Sequence, residues 1–184
     1  MWYRFRMHIH FVCTGNLCRS PMAEAMLRHE LERRRCNEIV VTSSGTWAGM
    51  GNPATSEAVS VLGGRGIDLS SHRSREFDPA GDADLIVAMT SVHLAEILKE
   101  NAGAGARVRM MKELGELQVS LPEDGTPGER LAALLAAERP EPRRDLDVGD
   151  PYGLPFSSYE CTVKDLEAGI EVLVRVLCPG SPGH

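Results

Sequence analysis

Blocks of apolar residues alternate along this chain between strand-sized and helix-sized lengths, with polar, glycine-bearing stretches between them. A run of β-formers at residues 7–12 predicts a strand. Residues 21–35 predict a helix with Pro21 at its first position, where a missing N–H is tolerated. The alternation continues as a strand at 39–43, a helix at 54–65, a strand at 85–90, a helix at 91–100 and a strand at 108–111. Such a pattern predicts an α/β fold, a three-layer open sheet of about four parallel strands with helices on both faces. A last helix at 158–177 carries Val163, Leu166, Ile170, Leu173, Val174 and Leu177 on one stripe, which reads as core packing. One domain is expected over 7–178, with an N-terminal extension at 1–6 and a disordered tail at 179–184. An insertion at 115–149 contains a helix at 129–139 followed by Pro140, Pro142, Arg143 and Arg144.

In open sheets of this kind ligands bind beyond the carboxyl ends of the strands, where the strand order reverses. The loop after the first strand would sit there, and it holds the most informative residues. Cys13 and Arg19 are separated by Thr14, Gly15, Asn16, Leu17 and Cys18, and Ser20 follows directly. In a strand-to-helix turn the backbone N–H groups point inward, with the positive end of the helix dipole behind them, which suits an anion. Gly15 and Asn16 tolerate the positive φ that such a loop needs. Arg19 adds a planar fork matched to two phosphate oxygens. A helix N-terminus and a guanidinium favour thiolate over thiol, so Cys13 is a candidate in-line nucleophile for phosphorus, forming a cysteinyl phosphate. The Ser20 hydroxyl can donate to the sulfur. The loop amides and Arg19 neutralise the transferring group, so no metal and no cofactor are expected.

The leaving oxygen needs a proton, and Asp150, held extended by Pro151, is the best candidate donor. Asp145 and Asp147 lie close enough in the chain to compete for the role. The same carboxyl would then serve as base for the water that attacks phosphocysteine.

A chain of 184 residues with 42% apolar content suits one domain, and its net charge of −6 gives no nucleic-acid surface. No stretch approaches membrane-spanning length, so no membrane partner is expected and a cytoplasmic location is. Five cysteines without paired C-x-x-C spacing argue against structural zinc or a disulfide framework, and Cys36, Cys161 and Cys178 read as small packing residues. A monomer or weak homodimer is expected.

Val12 to Pro21 read Val-Cys-Thr-Gly-Asn-Leu-Cys-Arg-Ser-Pro. Together with the distant Asp150, Pro151 and Tyr152, this run resembles the low-molecular-weight protein tyrosine phosphatases of bacterial type. The stretches 43–46, 66–75 and 84–90 support the resemblance. It implies Cys13 as nucleophile, Arg19 as phosphate ligand and Asp150 as general acid and base. It further implies that Asn16, Ser20, Ser43 and His72 hold the loop in shape, and that the partners are phosphorylated proteins.

A deep crevice would favour phosphotyrosine, with Leu17, Trp47 and Tyr152 as its walls; in the alternative reading Trp47 only packs its loop. The chain is similar in several segments to protein-arginine phosphatases, which carry Thr at the position of Leu17, so Leu17 points to tyrosine. Thioredoxin-coupled arsenate reductases resemble this fold too, but they relay oxidation through two cysteines after the third strand, and residues 85–100 contain none. A non-catalytic phosphate reader or phosphocarrier would have little use for Asp150. Cys18 reads either as a buried spacer or as the partner of a reversible disulfide with Cys13. The insertion reads as a solvated excursion or as a wall of the substrate entrance, with Arg143 and Arg144 attracting acidic phosphoproteins.

Overall fold

The computed structural model describes residues 6–79, 81–141 and 143–179. The expectations for residues 1–5, Pro142 and 180–184 fall outside the described residues. Four parallel strands, β1 (Met7–Cys13), β2 (Ile39–Gly45), β3 (Leu85–Ala88) and β4 (Val108–Met110), form one sheet in the order β2-β1-β3-β4. The order reverses at β1, because the chain goes to one side of it for β2 and to the other for β3. The crevice beyond the carboxyl ends of β1 and β3 is therefore the switch point of the fold. Cys13 is the last residue of β1 and pairs with Gly45, while Val12 pairs with Ala88.

The period of two along β1 separates the layers. Ile9, Phe11 and Cys13 enter the larger core with Leu85 and Val87, under α1 (Arg19–Arg33), α2 (Ser56–Gly63) and α6 (Phe156–Leu177). Val12, Ile86, Ala88 and Val108 enter a smaller one with Ile97 of α3 (Ser91–Glu100). All six residues of the expected α6 stripe are buried.

Several boundaries differ from the sequence reading, each for a local reason. Helix α1 begins at Arg19, so Pro21 is the third residue of its first turn, where a backbone N–H has no intrahelical acceptor anyway. Strand β3 stops at Ala88 because Thr90 turns to cap α3, its Oγ1 accepting the His93 N–H. Helix α2 begins at Ser56 behind a similar cap on Thr55. A short helix, α4 (Met111–Glu116), has too few residues to show a period.

The insertion is not a solvated excursion. Its helix α5 (Pro127–Ala136) starts at a reciprocal cap between Thr126 and Glu129 and buries Leu131 and Leu134. Arg139 then meets the buried Glu113 carboxylate with two nitrogens at 2.7 Å each. Cys36 and Cys178 are not separate packing residues either, since they form a disulfide joining the end of α1 to the end of α6. Their 142-residue separation hides a contact that exists only because the two helices end side by side. Among the described residues no helix is long and apolar enough to cross a membrane.

Helices α4 and α6 meet at Gly169, where an added Cβ would lie 2.6 Å from the Met111 carbonyl oxygen and 2.7 Å from its Cε. Gly169→Ala is expected to lower the unfolding free energy by about 1–3 kcal/mol, although alanine is the better helix former. Denaturant unfolding checks this, and an unchanged midpoint would mean that the two helices can separate freely.

Candidate active site

The loop that leaves β1 is tied down by its carbonyls. Cys13 O accepts from Thr46 N–H, Thr14 O from Trp47 N–H and Leu17 O from Thr55 N–H, all within 3.1 Å. His72 Nε2 donates to Asn16 O at 2.8 Å. With carbonyls satisfied on the outside, the peptide N–H groups are turned to the inside, as anion binding requires. Gly45 makes room for this turn: a Cβ there would lie 2.2 Å from Thr14 O.

Asn16 is the hub of the arrangement. It is fully buried, with φ of 53°. Its Nδ2 donates to Ser20 Oγ at 2.9 Å and to Ser43 Oγ at 2.8 Å, and its Oδ1 accepts the Arg75 N–H at 2.9 Å. The structure thus gathers Asn16, Ser20, Ser43 and His72 around one loop. Burial lowers the His72 pKa, the first cause among several, which favours a neutral ring with its proton on Nε2, facing Asn16 O. Sequence reasoning missed Glu24, a buried carboxylate that accepts from Ser43 Oγ at 2.6 Å. Its position one turn into an ordinary amphipathic helix gave no signal.

Cys13 Sγ lies 3.0 Å from Ser20 Oγ and 3.3 Å from Asn16 N. The single Ser20 hydroxyl proton can reach either the sulfur or Ser44 O, 3.2 Å away. Arg19 is 5% exposed and reaches three acceptors: Val148 O at 3.2 Å through Nη1, and Asp150 Oδ2 at 2.7 Å and Thr14 Oγ1 at 3.5 Å through Nη2. Its Nε is buried without a partner, a donor that a phosphate oxygen fits.

The three acidic candidates separate cleanly. Asp147 accepts from Ser91 N–H at 2.7 Å and Asp145 pairs with Arg143 at 2.9 Å, whereas Asp150 faces Arg19 and the cavity. The Asp150 loop hangs on β3 through a 2.9 Å bond from Val148 N–H to Met89 O.

Cys13, Thr14, Gly15, Leu17, Cys18, Arg19, Asp150 and Tyr152 line a cavity of about 210 Å³. A larger groove of about 1070 Å³ runs along α1 and α6, but it is lined by a mixture of apolar side chains and surface charges such as Arg33 and Glu30 and holds no free thiol, so chemistry rather than size selects the smaller cavity. Trp47 is not among the cavity walls and does not pack its loop: it is 79% exposed, and its backbone N–H donates to Thr14 O. No described residue of 115–146 lines the cavity, and Arg143 is already paired with Glu116 and Asp145.

Cys18 Sγ faces Thr55 Oγ1 at 3.5 Å and Tyr159 OH at 3.7 Å, and burial pushes its pKa up. Another residue without a sequence signal is His93, which touches Thr14 from α3. Among the described residues there is no group of three or more His, Cys, Asp or Glu side chains that could hold a metal ion.

Comparison with known proteins places this geometry. A profile described as low molecular weight phosphotyrosine protein phosphatase matches residues 8–124, a span that ends before Asp150. Low molecular weight protein-tyrosine phosphatase A of Mycobacterium bovis is 34% identical over 167 residues, covering 89% of this chain and 87% of that protein. The crystal structure of a low molecular weight protein tyrosine phosphatase from T. tengcongensis matches with a TM-score of 0.71 at 30% identity, over 92% of this chain and 98% of the other. An arginine phosphatase, YwlE, in a cysteine-to-serine variant with a phosphorylated active-site serine, matches with a TM-score of 0.71 at 31% identity, over 92% and 94%.

Replacing Asn16 by Ala would remove the donor to the buried Ser20 and Ser43 hydroxyl oxygens and the acceptor of the Arg75 N–H. Asn16→Ala is expected to lower stability by about 2–4 kcal/mol and to weaken binding of inorganic phosphate by roughly tenfold or more. Denaturation and phosphate titration check the two effects separately, and undiminished phosphate binding would show that the loop keeps its shape without this amide.

Proposed function

The chain belongs to the low molecular weight phosphotyrosine protein phosphatase family, and we propose that it hydrolyses phosphotyrosine monoesters in proteins with Cys13, Arg19 and Asp150 as its catalytic groups. The observation that carries this reading is the meeting, in one small cavity, of a buried thiol, a buried guanidinium with an unpartnered Nε, and a half-exposed carboxyl. No other thiol has such neighbours: Cys36 and Cys178 are bonded to each other, Cys161 is exposed, and Cys18 is held in the thiol form by burial.

In the proposed reaction the phosphate dianion lies in the loop of residues 14–18, its oxygens on the loop amides and the Arg19 fork. Cys13 attacks as thiolate, its electron pair forming the S–P bond while the P–O bond to the phenol breaks. Asp150 gives its proton to the departing phenolate oxygen. Asp150, now a carboxylate, takes a proton from water, whose oxygen attacks phosphorus. The S–P bond breaks, and inorganic phosphate leaves with the thiolate restored. Ser20 Oγ, 3.0 Å from the sulfur, holds the leaving thiolate by hydrogen bonding. The phosphorylated serine in the YwlE variant supports a covalent phosphoenzyme at the nucleophile position.

Leu17 and Tyr152 support an aromatic substrate, because together they give the cavity an apolar rim beside the Asp150 carboxyl. The likeness to an arginine phosphatase keeps phosphoarginine as the second reading. A cytoplasmic setting belongs to the proposal, because it keeps the Cys13 thiolate reduced; in it the Cys36–Cys178 pair would be held as two thiols. A reversible Cys13–Cys18 disulfide under oxidant belongs to it as well.

Assay of an aryl phosphate tests the catalytic assignment. Cys13→Ser is expected to abolish turnover, and Asp150→Ala to reduce kcat by roughly a hundredfold; release of phenol by the Cys13→Ser protein would end this reading. Specificity is tested on a panel of phosphotyrosine, phosphoarginine and phosphoserine peptides. Leu17→Thr is expected to raise the phosphoarginine to phosphotyrosine activity ratio, and an unchanged ratio would place specificity outside the loop.

A further inference from the structure

The first turn of α3 touches both halves of the cavity, and His93 within it is more committed than a packing residue needs to be. It is 3% exposed, yet both ring nitrogens have partners: Nδ1 lies 2.9 Å from Thr90 Oγ1, and Nε2 lies 2.8 Å from Thr14 Oγ1. Thr14 Oγ1 in turn lies 3.5 Å from Arg19 Nη2, the nitrogen that also donates to Asp150. We propose that His93 is a positioning residue for phosphoryl transfer, setting the direction of the Arg19 fork through the Thr14 hydroxyl. This rests on the role given to Arg19 above.

A guanidinium has no acceptor, so Thr14 Oγ1 accepts from Arg19 and keeps both its own proton and a second lone pair for His93 Nε2, whichever the ring tautomer requires. A neutral ring serves both contacts at once, one ring nitrogen donating and the other accepting. Thr90 Oγ1 also accepts the His93 N–H as the helix cap, so the ring is held in place by the start of α3 itself. Burial, and after it the Arg19 charge, lower the ring pKa to about 4, while Glu96 on the same helix and Asp150 and Asp147 on the acid loop oppose that shift. Ser91, two residues earlier, holds Asp147. One helical turn thereby ties down the anion loop through His93 and the acid loop through Ser91.

Two substitutions of different reach separate positioning from packing. In His93→Asn the amide occupies the place of Nδ1, keeps the Thr90 link and falls short of Thr14. In His93→Gln an amide oxygen reaches the place of Nε2. The expected result for His93→Asn is that KM for an aryl phosphate and the dissociation constant of inorganic phosphate, read by calorimetry, rise together by about five- to tenfold. Its kcat should change less than threefold and its thermal midpoint should stay near that of the wild type, and His93→Gln should recover most of the loss. Thr14→Val should reproduce the loss, and the double variant should add little to it. The proposal is overturned if His93→Asn binds phosphate within twofold of the wild type, if His93→Gln is no better than His93→Asn, or if the effects of the two sites multiply. Because phosphate binding is read without turnover, failure of this assignment stays distinct from failure of the enzyme reading, which the wild-type aryl phosphate assay decides.

Discussion

A turn that wraps an anion must aim its peptide N–H groups inward, and a chain can do so only where the carbonyls are satisfied on the outside. Asn16 carries most of that constraint. Its left-handed backbone, at φ of 53°, is one that non-glycine residues adopt at a cost, and asparagine tolerates it better than most. What makes it persist is that the side-chain amide bonds two hydroxyls and a peptide N–H while the carbonyl takes the His72 ring. Three segments of chain, at residues 13–20 (which include the start of α1), 43–45 and 72–75, are thereby fixed to one another before any substrate arrives. The preorganisation that phosphoryl transfer needs is a property of this polar network rather than of the apolar core beneath it.

The sheet topology supplies the second half of the site at low cost. Strands β1 and β3 are neighbours, and both end at the same crevice. The nucleophile loop follows one, and the acid loop hangs on the residue after the other through Met89. The insertion that precedes Asp150 is therefore free to vary in length, because the position of Asp150 is fixed by Met89 and Ser91 rather than by the path that leads to it. In this chain the insertion has become a packed layer on α6, anchored by Leu131, Leu134 and the Arg139–Glu113 pair.

Much of the site was legible in the sequence because its chemistry is local. Cys13, Arg19 and Ser20 sit within eight residues, and a turn of that length between strand and helix has few ways to fold. The strand and helix alternation was legible for the same reason, as period and length decide it. What escaped was everything created by long-range contact. Glu24 and His93 look like ordinary residues of amphipathic helices until the sheet brings Ser43 and Thr14 to them. The Cys36–Cys178 disulfide depends on two helix ends meeting. Helix starts moved by two residues where Thr55 or Thr126 supplied a cap, and strand β3 ended two residues early where Thr90 did, since a threonine reads equally well as the last residue of a strand or loop or the first of a helix. Trp47 stands outside the small cavity and exposed, because aromatic character alone does not tell which way a loop residue faces.

The Arg19–Asp150 contact shows how a resting arrangement can lead into a reaction. Although the two atoms are 2.7 Å apart, the Asp150 side chain is 51% exposed, and a pair so open to water is worth no more than about 1 kcal/mol. A phosphate dianion offering two oxygens to the fork, inside a loop that excludes water, is the stronger partner. Exchange of partners is therefore favourable and leaves the guanidinium on phosphate. The Asp150 carboxyl then faces the cavity without its cation. In the proposed reaction the event that seats the substrate is thus also the one that frees the Asp150 carboxyl, and the low strength of the resting pair is what lets that event occur.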